Sequence, residues 1–383
     1  MRIIVLFFFV VLLGCQDQLE LMDNIPAGKG SAEPSLTISD QGLILTWIEA
    51  VDDDFQLKMS IYNGEAWTDP KTIASGNDWF VNWADFPNMT VNGSKLFTFY
   101  LEKSAPETFS YDVIYVTSPD SGKTWSAPQK LHEDTIAAEH GFVSAVPYKD
   151  GFYASWLDGR HTPQGKPMSL RGTYINVEGI VHESVEIDSM TCDCCQTAMT
   201  IVNGEPWTFY RDRSPNEVRD IYYSKFDGDK WAKPKSINND NWEIAACPVN
   251  GPRVIYSEDN VAVVWFTAAE GKGKVKMMIS DDKGESFGDV IIVDEDNSLG
   301  RVDIQMNDER IYVTYLDRKD YAAIIALKIY DHSGNLLDEP IITHVSPERA
   351  TGFPRSIIWK DQLYVTWTDA ESKLVKVATF KIA

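Results

Sequence analysis

Four of the chain's five cysteines are bunched: Cys192, Cys194 and Cys195 form a C-x-C-C run, and Cys247 follows later. Thiols in such a set either oxidise to disulfides or bind a soft or borderline ion as thiolates. Four cysteines allow three pairings. A Cys194–Cys195 bridge would be a strained bond between adjacent residues, whereas Cys192–Cys247 or Cys195–Cys247 would close a long loop. Disulfides are the default expectation for an exported chain, with Cu(I) or Zn(II) at all four sulfurs as the alternative. The arginines are unevenly placed as well. After Arg2 none occurs before Arg160, so the guanidinium chemistry of Arg160, Arg219, Arg301 and Arg355 belongs to the later part of the chain.

What must position these groups is a repeat. The short strands LTWIE, TFYLE, ASWLD, TFYRD, VVWFT, VTYLD and VTWTD centre on Trp47, Tyr100, Trp156, Tyr210, Trp265, Tyr315 and Trp367, spaced 53, 56, 54, 55, 50 and 52 residues apart. Each is preceded by an alternating strand and followed by a third, then by a Gly-bearing turn and a short fourth. Four short strands per unit of ~50 residues, without helical periodicity, are the pattern of a β-propeller blade. The fold expected is all-β: seven four-stranded blades, or six if a terminal unit is degenerate. The last unit ends after its third strand, and Leu19–Met22 is a candidate for the missing one.

The third-to-fourth-strand turns carry a second motif. Ser118-Pro119-Asp120-Ser121-Gly122-Lys123-Thr124-Trp125 fits S-x-D-x-G-x-T-W, and Ser280 to Phe287 is a near copy. This resembles the Asp-box, or BNR repeat, of the sialidase superfamily. The box itself is structural: Asp accepts turn amides, Gly supplies a positive φ, and the aromatic packs between strands. The C-x-C-C run, together with Cys247-Pro248-Val249-Asn250-Gly251-Pro252 and Gly300-Arg301-Val302-Asp303, is similar to a group of bacterial proteins labelled exo-α-sialidase-like.

In a propeller the lead-ins to the innermost strands share a face with the loops between strands two and three, where these folds usually bind ligands. That face would collect Asp85, Glu139, the cysteines, Asn250, Arg301, Asp303 and Arg355, with Arg160, Glu217 and Arg219 from the loops. Adjacent blades would bring Cys247 beside Cys192–Cys195. The sialidase resemblance implies arginines that grip a sugar carboxylate, a Tyr–Glu nucleophile and an Asp acid. Carried over by position, Arg160, Arg219, Arg301 and Arg355 would bind substrate, Asp85 or Asp303 would be the acid, and Glu217 would activate a tyrosine. The Phe-Arg-Ile-Pro motif of many sialidases is absent, and Asp85-Phe86-Pro87 stands nearest to it without the arginine. Acids two residues after the aromatic recur in six units, which marks those positions as scaffold. The function expected is binding or hydrolysis of an anionic glycan, with no cofactor required. The alternatives are a non-catalytic envelope protein with a cysteine-centred Cu, Zn or redox site, and an interaction scaffold with a protein partner.

The start of the chain bears on location. Arg2 precedes eleven apolar residues, Ile3–Leu13, too few for the ~20 that span a bilayer but suited to an export signal. Leu12-Leu13-Gly14-Cys15 resembles the bacterial lipobox, which implies cleavage after residue 14 and lipidation of Cys15. Gln16 rather than Asp follows, pointing to the outer membrane. Residues 15–32 would then form a leash and the possible closing strand, and 33–383 one propeller domain. A net charge of −22 opposes phosphate backbones, so nucleic acid is not an expected partner. Nothing in the sequence implies an oligomer.

Overall fold

In the computed structural model, which describes residues 19–176, 178–319 and 322–382, the seven aromatic strands become the second strands of seven sheets. Each second strand has a neighbouring blade on both faces, so its residues are buried regardless of side. Gly151–Asp158 has no exposed position, and Gly42–Val51 has one. Trp47, Trp156, Trp265 and Tyr210 are fully buried.

Blade 1 comprises Ser31–Ser39, Gly42–Val51, Asp54–Tyr62 and Lys71–Gly76. Blades 2 to 5 repeat the order, with inner strands Met89–Asn92, His140–Tyr148, Ala198–Val202 and Arg253–Ser257. Blade 6 begins with Gly300–Met306, and its outer edge is split into Leu336–Asp338 and Ile341–Val345, both paired to Ala322–Asp331. Blade 7 holds Arg355–Trp359, Gln362–Asp369 and Leu374–Lys381. Its fourth strand is Leu19–Leu21, antiparallel to Leu374–Lys381, with Leu19 opposite Phe380. The ring therefore closes by pairing the beginning of the described chain with its end. The signal segment and Cys15 lie outside the described residues.

The core lies between blades, not within one. Separate apolar clusters join each neighbouring pair, for example Phe97, Tyr115 and Trp156 between blades 2 and 3, and Leu43, Trp47 and Val377 between blades 7 and 1. The recurrent acids act as scaffold here. Glu49 accepts the Trp47 indole N–H at 2.9 Å, and Asp158 accepts that of Trp156 at 2.9 Å. In blade 5, where Thr267 takes the place of the acid, the Trp265 indole donates to Asp240 at 2.7 Å instead. Both Asp-boxes form as expected. Asp120 accepts the Thr124 amide at 2.8 Å, Asp282 accepts that of Ser286 at 2.9 Å, and Gly122 and Gly284 have φ near +80°.

Candidate functional site

The lead-ins to the inner strands are hydrogen-bonded to one another around a single mouth. Asp85 of blade 2 accepts the Phe142 amide of blade 3 at 2.7 Å. Gln196 of blade 4 reaches both ways: its amide donates to the Ala84 carbonyl at 2.5 Å and its oxygen accepts the Gly251 amide at 3.1 Å. Asn250 accepts the Arg301 amide at 2.6 Å, and Arg301 Nη1 donates to the Gly352 carbonyl at 3.0 Å. Gly251 is required for this closeness, because a Cβ there would lie 1.8 Å from the Gln196 carbonyl oxygen.

At the blade 2–3 side a phenol lies between two carboxyl groups. The Tyr111 hydroxyl is 3.0 Å from Asp85 Oδ2 and 2.8 Å from Glu139 Oε1. One phenol proton can satisfy only one of them, so the second contact requires a proton on a carboxyl group. Burial pushes Asp85 up to about 7 against the lowering effect of the Phe142 amide, and burial followed by the charge of Asp85 pushes Glu139 up to about 8. Asp85 already accepts the amide, and Glu139 faces the negative groups Asp193 and Cys247, so the extra proton belongs on Glu139. Glu139 is half-buried, whereas Tyr111 is fully buried with its phenol pKa well above normal.

The predicted arginines divide into two kinds. Arg160 is clamped by Asp158 (Nε–Oδ1 2.7 Å, Nη2–Oδ2 2.8 Å) and by Glu133 at 2.6 Å. Arg219 is bound to Glu217 at 2.8 Å and to the Cys192 sulfur at 3.2 Å. Glu217 also accepts Arg213 at 2.6 Å; Arg213, then Arg219, holds its carboxyl below the ordinary range. Among the described residues no tyrosine hydrogen-bonds to Glu217; Tyr111 makes a tyrosine–carboxylate contact at the mouth. Arg301 and Arg349 are different. Both guanidinium groups lie over the Trp83 ring, at 4.7 and 6.0 Å from its centroid, and neither has an acidic side chain within 4.0 Å among the described residues. Burial, then Arg349, lowers Arg301 to about 10. Trp83 in turn stacks on Phe353. Arg355 and Asp303 lie deeper, below Phe86, where Asp303 accepts Arg253 at 2.8 Å and the Ser356 amide at 2.6 Å.

Three of the four cysteines converge: Cys192 Sγ lies 3.5 Å from that of Cys195 and 4.0 Å from that of Cys194, and Cys247, exposed on the next blade, is close enough to Cys194 to lower its own thiol pKa. The expected disulfides are not formed: all four are free thiols, and the two sulfur separations far exceed the ~2.05 Å of an S–S bond. The link between blades 4 and 5 that such a bridge would supply is made by Arg211, which is buried and donates to the carbonyls of Asn250, Arg219 and Phe266 at 2.7–3.0 Å. Tetrahedral thiolates around zinc, with Zn–S ~2.3 Å, place sulfurs about 3.8 Å apart, close to the observed spacing. Hydrogen bonds from Cys194 and Cys195, with the charge of Arg211, hold the Cys192 thiol far below its usual pKa.

A second titratable group joins blades 2 and 3. His132 and His140 stack with centroids 3.8 Å apart; His132 is flanked by Asp134 at 2.8 Å and Asp112 at 3.3 Å, and Arg160 Nη2 is 3.2 Å from Asp134. Asp112–His132–His140 and Asp134–His140–Asp158 are close enough to share an ion, but Lys130 and Arg160 already lie against these carboxylates. None of Tyr111, Trp83, Arg349 and His132 stood out as a site residue in the sequence. Trp83 alone carried a signal, lying two residues before Asp85 in an unusual lead-in.

A profile of the BNR repeat-like domain family matches residues 51–365. The chain belongs to that family. No protein of curated function matches the sequence. Solved structures with the same fold include a protein of unknown function from Dyadobacter fermentans (14% identity, TM-score 0.55, covering 96% of this chain and 100% of that one). An ulvan lyase of polysaccharide lyase family 25, bound to -[GlcA(1-4)Rha3S]-, aligns at 11% identity and TM-score 0.57, over 92% of this chain and 94% of that one. The phage phi92 endosialidase aligns at 10% identity and TM-score 0.50, over 95% of this chain and 69% of that one. At these identities the likeness establishes a sialidase-like propeller fold.

Proposed function

We propose that this BNR propeller binds an acidic glycan at its mouth, with Arg301 and Arg349 on the sugar's anionic group. The observation that carries the reading is the pair of guanidinium groups that share the Trp83 ring without an acidic partner, in a chain of net charge −22. A cation left unpaired on so acidic a protein is available to an external anion. On the blade 2–3 side of the mouth, Glu139 presents a proton-bearing carboxyl, the kind of group glycosidic cleavage needs as its acid. That relatives in fold include an ulvan lyase and an endosialidase supports an acidic polysaccharide as the ligand class. Titration calorimetry with sialyl- and glucuronate-containing oligosaccharides tests it: the expected result is saturable binding that Arg301→Gln weakens at least ~10-fold. Equal binding by that variant overturns the assignment. If the protein is also hydrolytic, a fluorogenic sialoside or uronoside is turned over and Glu139→Gln abolishes the turnover.

A second reading concerns the thiols, whose spacing favours a thiolate-bound zinc or copper ion as a stabilising element of blades 4 and 5. Anaerobic purification should give one equivalent of metal, lost in Cys194→Ser; no metal in wild type removes this reading. The lipobox-like start further supports attachment to the outer membrane through lipidated Cys15. Cys15→Ser should then release the protein from the membrane fraction.

A further inference from the structure

The axis of the ring holds a polar cavity of about 290 Å³. All seven inner strands contribute to it, with Ser35, Asn88, Ser144, Arg253, Gln305 and Arg355 among its walls. Phe86 covers it on the side of the mouth, and the cavity continues along the inner strands past Gln305 and Ile357.

The charges in this cavity do not cancel. Two arginines, Arg253 and Arg355, face a single carboxylate, Asp303. Asp303 is also fully committed: Oδ1 accepts Arg253 Nε at 2.8 Å, and Oδ2 accepts the Ser356 amide at 2.6 Å and its hydroxyl at 3.0 Å. Arg355 Nη1 stops 3.7 Å short of Asp303 Oδ1, beyond a hydrogen bond, and is buried without any partner. The guanidinium makes no hydrogen bond to the protein among the described residues. The guanidinium also lies over the faces of Phe86 and Phe353, 4.8 and 5.7 Å from their centroids.

Such an arrangement is costly as it stands. A buried charge is ordinarily paired, and a group that cannot be paired sheds its charge. Arginine does not have the second option, because the guanidinium keeps its proton in proteins. Burial and the neighbouring charge of Arg253 already depress Arg355 to about 9. What remains is an anion. A planar fork with all its donors unused matches a carboxylate, which takes two parallel N–H bonds. The single surplus positive charge matches a monoanion, and hydroxyl and amide walls match a hydroxylated one.

We infer that the axial cavity is a binding site for a small monocarboxylate, held by Arg355 with Arg253 and Asp303 setting the charge. This site is separate from the Trp83 mouth, and neither depends on the other. The test is thermal unfolding of the full chain in acetate or lactate against chloride at equal ionic strength, because a ligand of the native state raises the midpoint with its concentration. Wild-type protein should be stabilised saturably by the carboxylates beyond any effect of chloride. Arg355→Gln should lose that increment, and Arg301→Gln should keep it. Because Arg355 is buried, Arg253→Gln provides a second check at a more exposed residue. It frees Asp303 to pair with Arg355 and should weaken carboxylate binding by about tenfold or more. A wild-type protein with no saturable response, a response equalled by chloride, or a response unchanged in both Arg355→Gln and Arg253→Gln overturns the site.

Discussion

The two halves of the mouth use the same residue for opposite ends. On the side of blades 3 and 4, Arg160, Arg213 and Arg219 are each tied to carboxylates: Asp158, Glu133 and Asp134 for the first, Glu217 and Asp193 for the others. On the side of blades 6 and 7, Arg301 meets two carbonyls and, with Arg349, the Trp83 ring, with no acid in reach among the described residues. Position in a funnel therefore does not make an arginine a ligand group; the absence of an internal partner does. The first half is a brace, the second the proposed binding surface.

Removing a brace should cost most. Arg160→Ala leaves Asp158, which has no side-chain exposure, next to Asp134 and Glu133 without their cation. Chemical denaturation should show a loss of about 3 kcal/mol or more, with glycan affinity unchanged. If affinity falls and stability does not, the two halves have been assigned the wrong way round. Arg301→Ala should do the reverse, weakening the acidic glycan by about tenfold, or 1.4 kcal/mol, in calorimetry. The exposed Arg349 is worth less: Arg349→Ala should weaken binding by about two- to fivefold, an effect that shrinks with added salt.

A separate effect is on pH dependence. Asp85 and Glu139 are raised to about 7 and about 8, against ordinary values near 4. Between those limits the folded protein holds protons that the unfolded chain has released. Their contribution is therefore complete below about pH 4 and is lost as pH rises through 7 to 8. His132, also raised, acts in the same sense. Denaturation midpoints should decline from pH 5 to pH 8, at no more than about 1.4 kcal/mol per pH unit for each proton, and Asp85→Asn should flatten the decline. A flat wild-type profile would remove the proton assigned to Glu139.

The frame was open to sequence reasoning because it rests on periodicity. Aromatic residues 50–56 positions apart marked the buried second strands, and LELM marked the strand that closes the ring. Convergence of the lead-ins followed from topology alone, and it brought Cys247 to Cys194. Partnership did not follow. Arg160 finds Glu133 twenty-seven residues away, across a blade boundary, and nothing local to either signals the pair. Tyr111 carries no local signal, and only the ring places it between Asp85 and Glu139. The thiols were legible only in part for a related reason: cysteine count and export favour pairing, whereas the structure holds the Cys192, Cys194 and Cys195 sulfurs within 4.8 Å of one another at non-bonded distances.

A crystal structure with a bound sialyl- or glucuronate-containing oligosaccharide tests the division of the mouth most directly. The sugar's anionic group should lie within hydrogen-bond distance of Arg301 and Arg349, beside Trp83, with the Asp158–Arg160 and Glu217–Arg219 pairs intact. An anionic group seated on Arg160 or Arg219, with those pairs broken, would contradict it.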